Sequence, residues 1–442
     1  MEKIGGIVRD MVIYGTMLAG MVFVQSIRAS ALPTSACQAP PLSAPTGNVV
    51  TVSTEPDLQR AVANVTAGQT IVIQPGTYNL ATGGGTLYIH KLVDNVTIRG
   101  ATDNCDDVIL VGAGMATQGN TPYGIWVGGP NNLLIANLQI RGVYYSPIQL
   151  DPNYGGTQSP RIYNVHLVDA GEQFVKANPL SNLTGGIANG IVEYSTIEYT
   201  TAAPLRTDGA CAPTPCVYTN GVDVHLGTGW SVRHNLFRNI TAPAGAGLAG
   251  PAVLLWNGSA DMVVEGNLFL NCQRGIAMGL GTTLATENLR GIVRNNMFAR
   301  TASQQGDVAI SAESSPSVKI LNNTVLLSGT YPNAIEYRFS TTTNVLIEAN
   351  LTDSAIRARD GATGSVIGNV TTAPAAWFVN AAAGDLHLTA AATGAIDKAP
   401  VLAYVLSDYD GQARPIGATS DIGAHEYGAT MPPAAPTNLQ VY

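Results

Sequence analysis

Apolar and polar residues alternate along most of this chain in short runs that Gly, Asn and Asp interrupt. The stretch Val222, Asp223, Val224, His225 shows the pattern. On a strand, whose side-chain period is two, the valines face one way and the Asp and His the other. A helix does not place residues two apart on one face. One segment departs from this rule. Thr54–Val65 reads as a short helix, with Thr54 as cap, Pro56 in the first turn, and Leu58, Ala61, Val62 and Val65 on one face. A strand over Thr70–Tyr78 follows, and helical periodicity does not return.

The alternating runs repeat. Asn164, Asn235, Asn267, Asn296, Asn323, Asn350 and Asn369 each sit between two short strands, and all but Asn323 precede an apolar residue. A second class of strand precedes Gly-rich turns, as in IQLD, VDVH and VLLW. Units this short bury a face only against their neighbours, and Asn at equivalent bends can hydrogen-bond from coil to coil. On these residues the chain resembles the right-handed parallel β-helix superfamily of pectate-lyase-like proteins, from about residue 50 to 378. The resemblance implies an all-β solenoid with a short N-terminal capping helix. The segment from FVNAAAGDLHL to DIGAHEYG resembles the ending of exported bacterial β-helix proteins labelled as choice-of-anchor domains. The expected organisation is a signal peptide at 1–31, an N-terminal extension at 32–53, the β-helix at 54–377, a terminal capping segment at 378–428 and a Pro/Ala-rich tail at 429–442.

Composition narrows the function. Only 12% of residues are charged and the net charge is −8, which argues against a nucleic-acid partner. Lys3, Arg9, the apolar run Met11–Val24 and Ala29–Ala31 read as an export signal, too short for a membrane span. The mature protein is expected in the periplasm or outside the cell, as a monomer. In such an oxidising compartment Cys211 and Cys216 could close a short loop and Cys37 could reach Cys105, leaving Cys272 over; the alternative is that all are thiols.

Registering the Gly-turn strands by their inward apolar pairs, up to Val308/Ile310 and beyond, sets two outward columns. One runs Gln149, Lys176, Asp223, Leu254, Ala277, Ala309, Glu336, Arg357; the other runs Asp151, Asn178, His225, Trp256. Lys176, Asp223, His225 and Trp256 then share one exposed face, flanked by the Thr200–Asn220 loop that carries Arg206 and Asp208. A separate column of alternating sign, Glu193, Arg233, Glu265 and Arg294, reads as structural pairing.

An open groove of this kind suits a polymer. Cleaving a uronate polysaccharide by β-elimination needs the carboxylate neutralised, a base for the proton on C5 and an acid for the leaving oxygen. Lys176 is the candidate base, its pKa lowered by Arg206. Asp151, Asp223 and Glu172 are candidate ligands for Ca²⁺. His225, Tyr144, Tyr145 or Tyr154 could donate the proton, Trp256 could stack on a sugar, and Gln149, Asn178 and Tyr145 could bind substrate. The Lys–Arg pairing is loosely similar to the chondroitinase B and alginate lyase type, although the WIDH, GHG and DPHE signatures of other β-helix enzymes are missing. Two alternatives stand beside this reading. One is a glycoside hydrolase using Asp151 and Asp223; the other is a non-catalytic glycan-binding or adhesive surface protein.

Overall fold

A computed structural model describes residues 37–301 and 303–428; the expected signal peptide and the Pro/Ala-rich tail lie outside the described residues. The chain forms a right-handed parallel β-helix with three sheet faces. One face starts at Asn48–Val52 and Gln69–Ile73 and runs to Gly364–Ile367. The second starts at Gly76–Asn79 and runs to Leu351–Thr352. Two long strands, Leu134–Val143 and Arg161–Ala170, pass through both faces. The third is a separate ten-stranded sheet from Leu87–Ile89 to Ala355–Arg359. Leu, Ile, Val and stacked Phe237, Phe269 and Phe298 fill the interior.

The helix spans Glu55–Ala63, with Thr54 accepting from the Asp57 amide and with Leu58 and Val62 buried against the first coils. The expected strand at 70–78 is two strands, because Pro75 cannot donate to a ladder and the chain bends there. Asn48–Val52, in the segment read as an extension, already pairs with Gln69–Ile73 as a coil of the stack.

The asparagines form a buried ladder. Asn235, Asn267, Asn296, Asn323 and Asn350 each donate Nδ2 to the Oδ1 of the next rung, ending at Asn369, at 2.9–3.0 Å. Each also donates to a main-chain carbonyl of the preceding coil, as Asn296 does to Val264. Asn164 is not a rung of this ladder. It pairs in register with Tyr194, while Val165 aligns with Ser195, the residue that donates its amide to Asn235. Asn164 and Tyr194 occupy the left-handed backbone position (φ 50° and 52°) just before the rung, which Asn tolerates.

The sign-alternating column forms as expected, with Glu193 bridging Arg161 and Arg233 and with Glu265 bound by Arg294. Both expected disulfides are present, Cys37–Cys105 and Cys211–Cys216, and Cys272 is free and buried.

The C-terminal segment clamps the outer side of the second face. Phe378, Leu386, Leu388 and Ile422 cover the outward Leu236, Leu268, Met297, Leu326 and Leu351. Within it Arg414 pairs with Glu426, both fully buried, and reaches Asn295 and the Gly423 carbonyl. The Ala424 amide donates to Thr324 Oγ1 at 2.9 Å. DIGAHEY is thus the clasp of the clamp.

Candidate functional site

The third sheet carries the candidate residues, and its register decides which of them meet. Gln149, Lys176, Asp223, Leu254 and Ala277 stand side by side, and His225 faces Trp256, as the alternation predicts. Beyond Ala277 the column differs from the expectation. Ala277 pairs with Ser311, so the inward pair of that coil is Ile310/Ala312 instead of Val308/Ile310, and Ala309 lies outside the column.

Lys176, Asp223, His225 and Trp256 form one hydrogen-bonded unit. Lys176 Nζ donates to Asp223 Oδ2 and lies 2.7 Å from His225 Nε2. Trp256 Nε1 donates to Asp223 Oδ1 at 2.9 Å, and Asn257 meets His225 Nδ1 at 3.2 Å. The unit is not on an open face: the Lys176 side chain is 11% exposed and that of Asp223 2%. The Tyr218 ring, from the flanking loop, lies 5.9 Å from Nζ.

This arrangement overturns one expectation about Lys176. Burial alone lowers an ammonium's pKa, but the Asp223 carboxylate more than offsets it, so Lys176 titrates above the usual lysine range. Burial likewise opposes charge on Asp223, yet Lys176 and His225 hold its carboxyl well below the usual range. Lys176 is a retained cation. Arg206 does not depress it, because Arg206 is committed elsewhere. Its guanidinium grips Asp208 through two bonds of 3.1 and 2.8 Å, donates to the Tyr144 carbonyl and covers the Tyr144 ring at 3.8 Å. The disulfide loop places it there: Arg206 and Cys216 exchange main-chain bonds next to the Cys211–Cys216 bridge.

Beside Arg206 lies Glu172. Its Oε1 is 3.5 Å from Arg206 Nε, and its amide donates to the Tyr145 carbonyl. Burial, only partly countered by Arg206, pushes its carboxyl up to about 7. Such a group takes or gives a proton near neutrality. Tyr144 and Tyr145 donate to Asp208 at 2.9 and 3.3 Å, which occupies both hydroxyls.

Asp151, Asp223 and Glu172 do not form a shared cation site. Asp151 Oδ1 caps the turn Pro152–Tyr154 through Asn153, Asp223 is saturated by the ammonium, imidazole and indole, and Glu172 is paired with Arg206. Among the described residues, three ligand atoms come within 4.8 Å of one another only at Cys37/Cys105/Asp106 and at His387/Asp410/His425. A calcium ion does not fit the expected donor set. Gln149 and Asn178 stand beside Lys176 and His225 in the two columns, as expected.

Two clefts lie elsewhere. One of about 390 Å³, under the C-terminal clamp, is lined by Leu270, Ala299, Leu326 and the Ala381–Gly384 turn. Another of about 180 Å³ lies further along the third sheet, among Arg274/Asp307 and Arg359/Glu336 ion pairs. Neither touches Lys176.

Residues missed by periodicity come from loops. Tyr218 and Asn257 carry no strand signal, and the value of Glu172 as a titrating group depends on a burial that alternation does not encode.

No protein-family model matches the sequence, and no curated protein matches it. Solved structures do. The pectate lyase Pel9A superposes with a TM-score of 0.51 at 13% identity, over 86% of this chain and 96% of that one. An alginate lyase from Paenibacillus sp. strain FPU-7 gives 0.48 at 15% identity, over 72% and 99%. PfbA, a surface adhesin of Streptococcus pneumoniae, gives 0.41 at 11% identity, over 71% and 86%. At these identities the likeness is one of fold. The fold is a parallel β-helix, shared with the pectate lyase Pel9A, and the chemistry rests on the residues above.

Proposed function

We propose that this protein is an exported polysaccharide lyase that cleaves an acidic, uronate-containing polysaccharide by β-elimination along the third sheet. The observation that carries the reading is the buried Lys176–Asp223–His225–Trp256 unit, which holds a cation on the third sheet, with Glu172, a carboxyl that titrates at about 7, in the turn that leads into the Lys176 strand. Lys176 has two of its three donors on Asp223 and His225. The third is left to bind the uronate carboxylate, which acidifies the proton on C5. Glu172, whose carboxyl titrates at about 7, takes that proton in its ionised form as the C5–H bond breaks. The C4–O bond then breaks as the C4–C5 double bond forms, and the leaving oxygen takes the proton that Glu172 has gained. Asp223 and Trp256 are positioning residues that fix Lys176 and His225.

The roles of base and cation are thereby exchanged relative to the sequence expectation. The hydrolase alternative has less support, since Asp223 is engaged by Lys176, His225 and Trp256 and Asp151 caps a turn. No protein-built calcium site enters the mechanism. The two disulfides suit an oxidising compartment, and no helix among the described residues is long and apolar enough to cross a membrane.

The test is ultraviolet absorbance of unsaturated uronides when purified protein is incubated with polygalacturonate and alginate, with and without chelator. We expect a rise that Glu172→Gln and Lys176→Ala each reduce by about 10² or more. New reducing ends without absorbance would replace the lyase by a hydrolase. Binding without either product would leave a glycan-binding surface.

A further inference from the structure

The outward column that holds Lys176 extends two coils further toward the N-terminus. Tyr88 pairs with Trp126 and Trp126 with Gln149, so Tyr88, Trp126, Gln149, Lys176 and Asp223 are consecutive residues across the sheet. Around the first two gather His90 and Tyr154. His90 stacks on Tyr154 with ring centroids 5.0 Å apart and planes 14° apart, and Trp126 meets Tyr154 edge-on at 5.1 Å. Trp126 is mostly covered and backs the cluster, whereas Tyr88 is 43% and Tyr154 53% exposed, with the exposed Leu92 at their edge.

Sequence and packing favour this arrangement. A Cβ at Gly128 would stand 2.5 Å from the Trp126 ring and 2.9 Å from that of Tyr154, so only glycine lets the two rings meet. Contiguous aromatic faces left in water mark a binding surface. The cluster is also continuous with the candidate site. Tyr123 packs 5.6 Å from Tyr145, and burial together with Tyr145, Tyr88 and Glu172 pushes its hydroxyl up to about 12.

We propose that Tyr88 and Tyr154, backed by Trp126, form a stacking subsite for a pyranose ring of an acidic polysaccharide, three coils from Lys176. The inference rests on the lyase reading for the identity of the chain that binds. Three strand spacings separate Tyr88 from Lys176, about 14 Å. One sugar is comparable in length to one coil, so the polymer lies along the solenoid axis with its apolar C–H faces on the rings. Lys176 takes the carboxylate of a different residue of the same chain. Short oligomers that cannot span both positions miss the platform.

Affinity electrophoresis of the mature protein in gels containing polygalacturonate or alginate reads binding independently of turnover. The wild type and Glu172→Gln should be retarded alike. Tyr88→Ala/Tyr154→Ala should bind about tenfold more weakly, and Tyr88→Phe/Tyr154→Phe should recover most of the loss. In turnover assays the alanine pair should raise KM for a hexamer, leave kcat unchanged, and leave a dimer unaffected. Undiminished retardation of the alanine pair would overturn the subsite while leaving the lyase reading intact. If neither polymer retards the wild type and no unsaturated product forms, the lyase reading itself fails. An altered oligomeric state at unchanged polymer affinity would make the patch a protein contact and overturn the proposal.

Discussion

Replacing Lys176 and Asp223, singly and together, measures how far burial governs this site. In Lys176→Met the Asp223 carboxylate, 2% exposed, keeps Trp256 Nε1 and a His225 nitrogen 3.4 Å away but loses its cation. In Asp223→Leu the ammonium keeps His225 and the Tyr218 ring but loses its counter-charge. Removing one partner of a buried pair costs about 3–5 kcal/mol, so the singles should sum to about 6–10. In Lys176→Met/Asp223→Leu no charge is stranded, and the main loss is the Trp256 N–H bond, about 1 kcal/mol. The coupling energy is therefore about 5 kcal/mol or more. Urea denaturation followed by tryptophan fluorescence would give all four values. Singles under about 1 kcal/mol would mean that solvent screens the pair as on an open surface, and the burial argument would fail. A double variant as unstable as the sum would refute the coupling. Uronide cleavage should be lost in the double variant despite its restored stability, which separates the role of Lys176 in chemistry from its role in the fold.

Other expectations follow from single groups. Glu172 titrates at about 7 when folded, above its ordinary 4.5, so the fold binds its proton more tightly and ionisation destabilises it as pH rises between those values. Glu172→Gln should therefore gain up to about 3 kcal/mol at pH 8 relative to pH 4, and should abolish an activity limb near pH 7. His387 is the opposite case. Burial lowers it, but Asp385 and Asp410 raise it to about 9, so its contribution is fully present below about 6.5 and is lost as pH rises through 9. Limited proteolysis of the C-terminal clamp should accelerate over that window, and unchanged cleavage would refute the assignment. Asn296→Ala removes an interior rung and leaves the Val264 carbonyl and the Asn267 amide without partners, at about 3 kcal/mol in thermal or urea unfolding. Asn369→Ala, at the ladder's more exposed end, should cost clearly less.

The solenoid was legible because its two signals, period-two alternation and Asn at bends, are local. Register was legible where coils are similar in form, as from Gln149 to Trp256. It slipped at Val308, Ala309 and Ile310, since a two-residue shift keeps every apolar side chain inward and alternation detects only odd shifts. Asn164 misled by one residue because Arg161–Ala170 crosses the bend as one continuous strand. Lys176, Asp223, His225 and Trp256 were correctly brought together, but their protonation was not readable. The cross-strand carboxylate dominates Lys176, and the loop that separates Arg206 from it folds by a disulfide and a bidentate bond to Asp208. The aromatic pair Tyr88 and Trp126 was within reach: it is the same column, two coils earlier.

A stack of near-identical coils has no intrinsic length, since each new turn offers the next the same surface it received. The C-terminal clamp supplies a ruler. Its apolar residues meet the outward side chains at Leu236, Leu268, Met297, Leu326 and Leu351, and its polar clasp meets Asn295 and Thr324. Inserting or deleting one coil in that stretch would preserve the ladder yet put the clasp out of step with the cover. The number of coils is thus fixed by a segment that belongs to none of them, and lineages that change it must change the clamp as well.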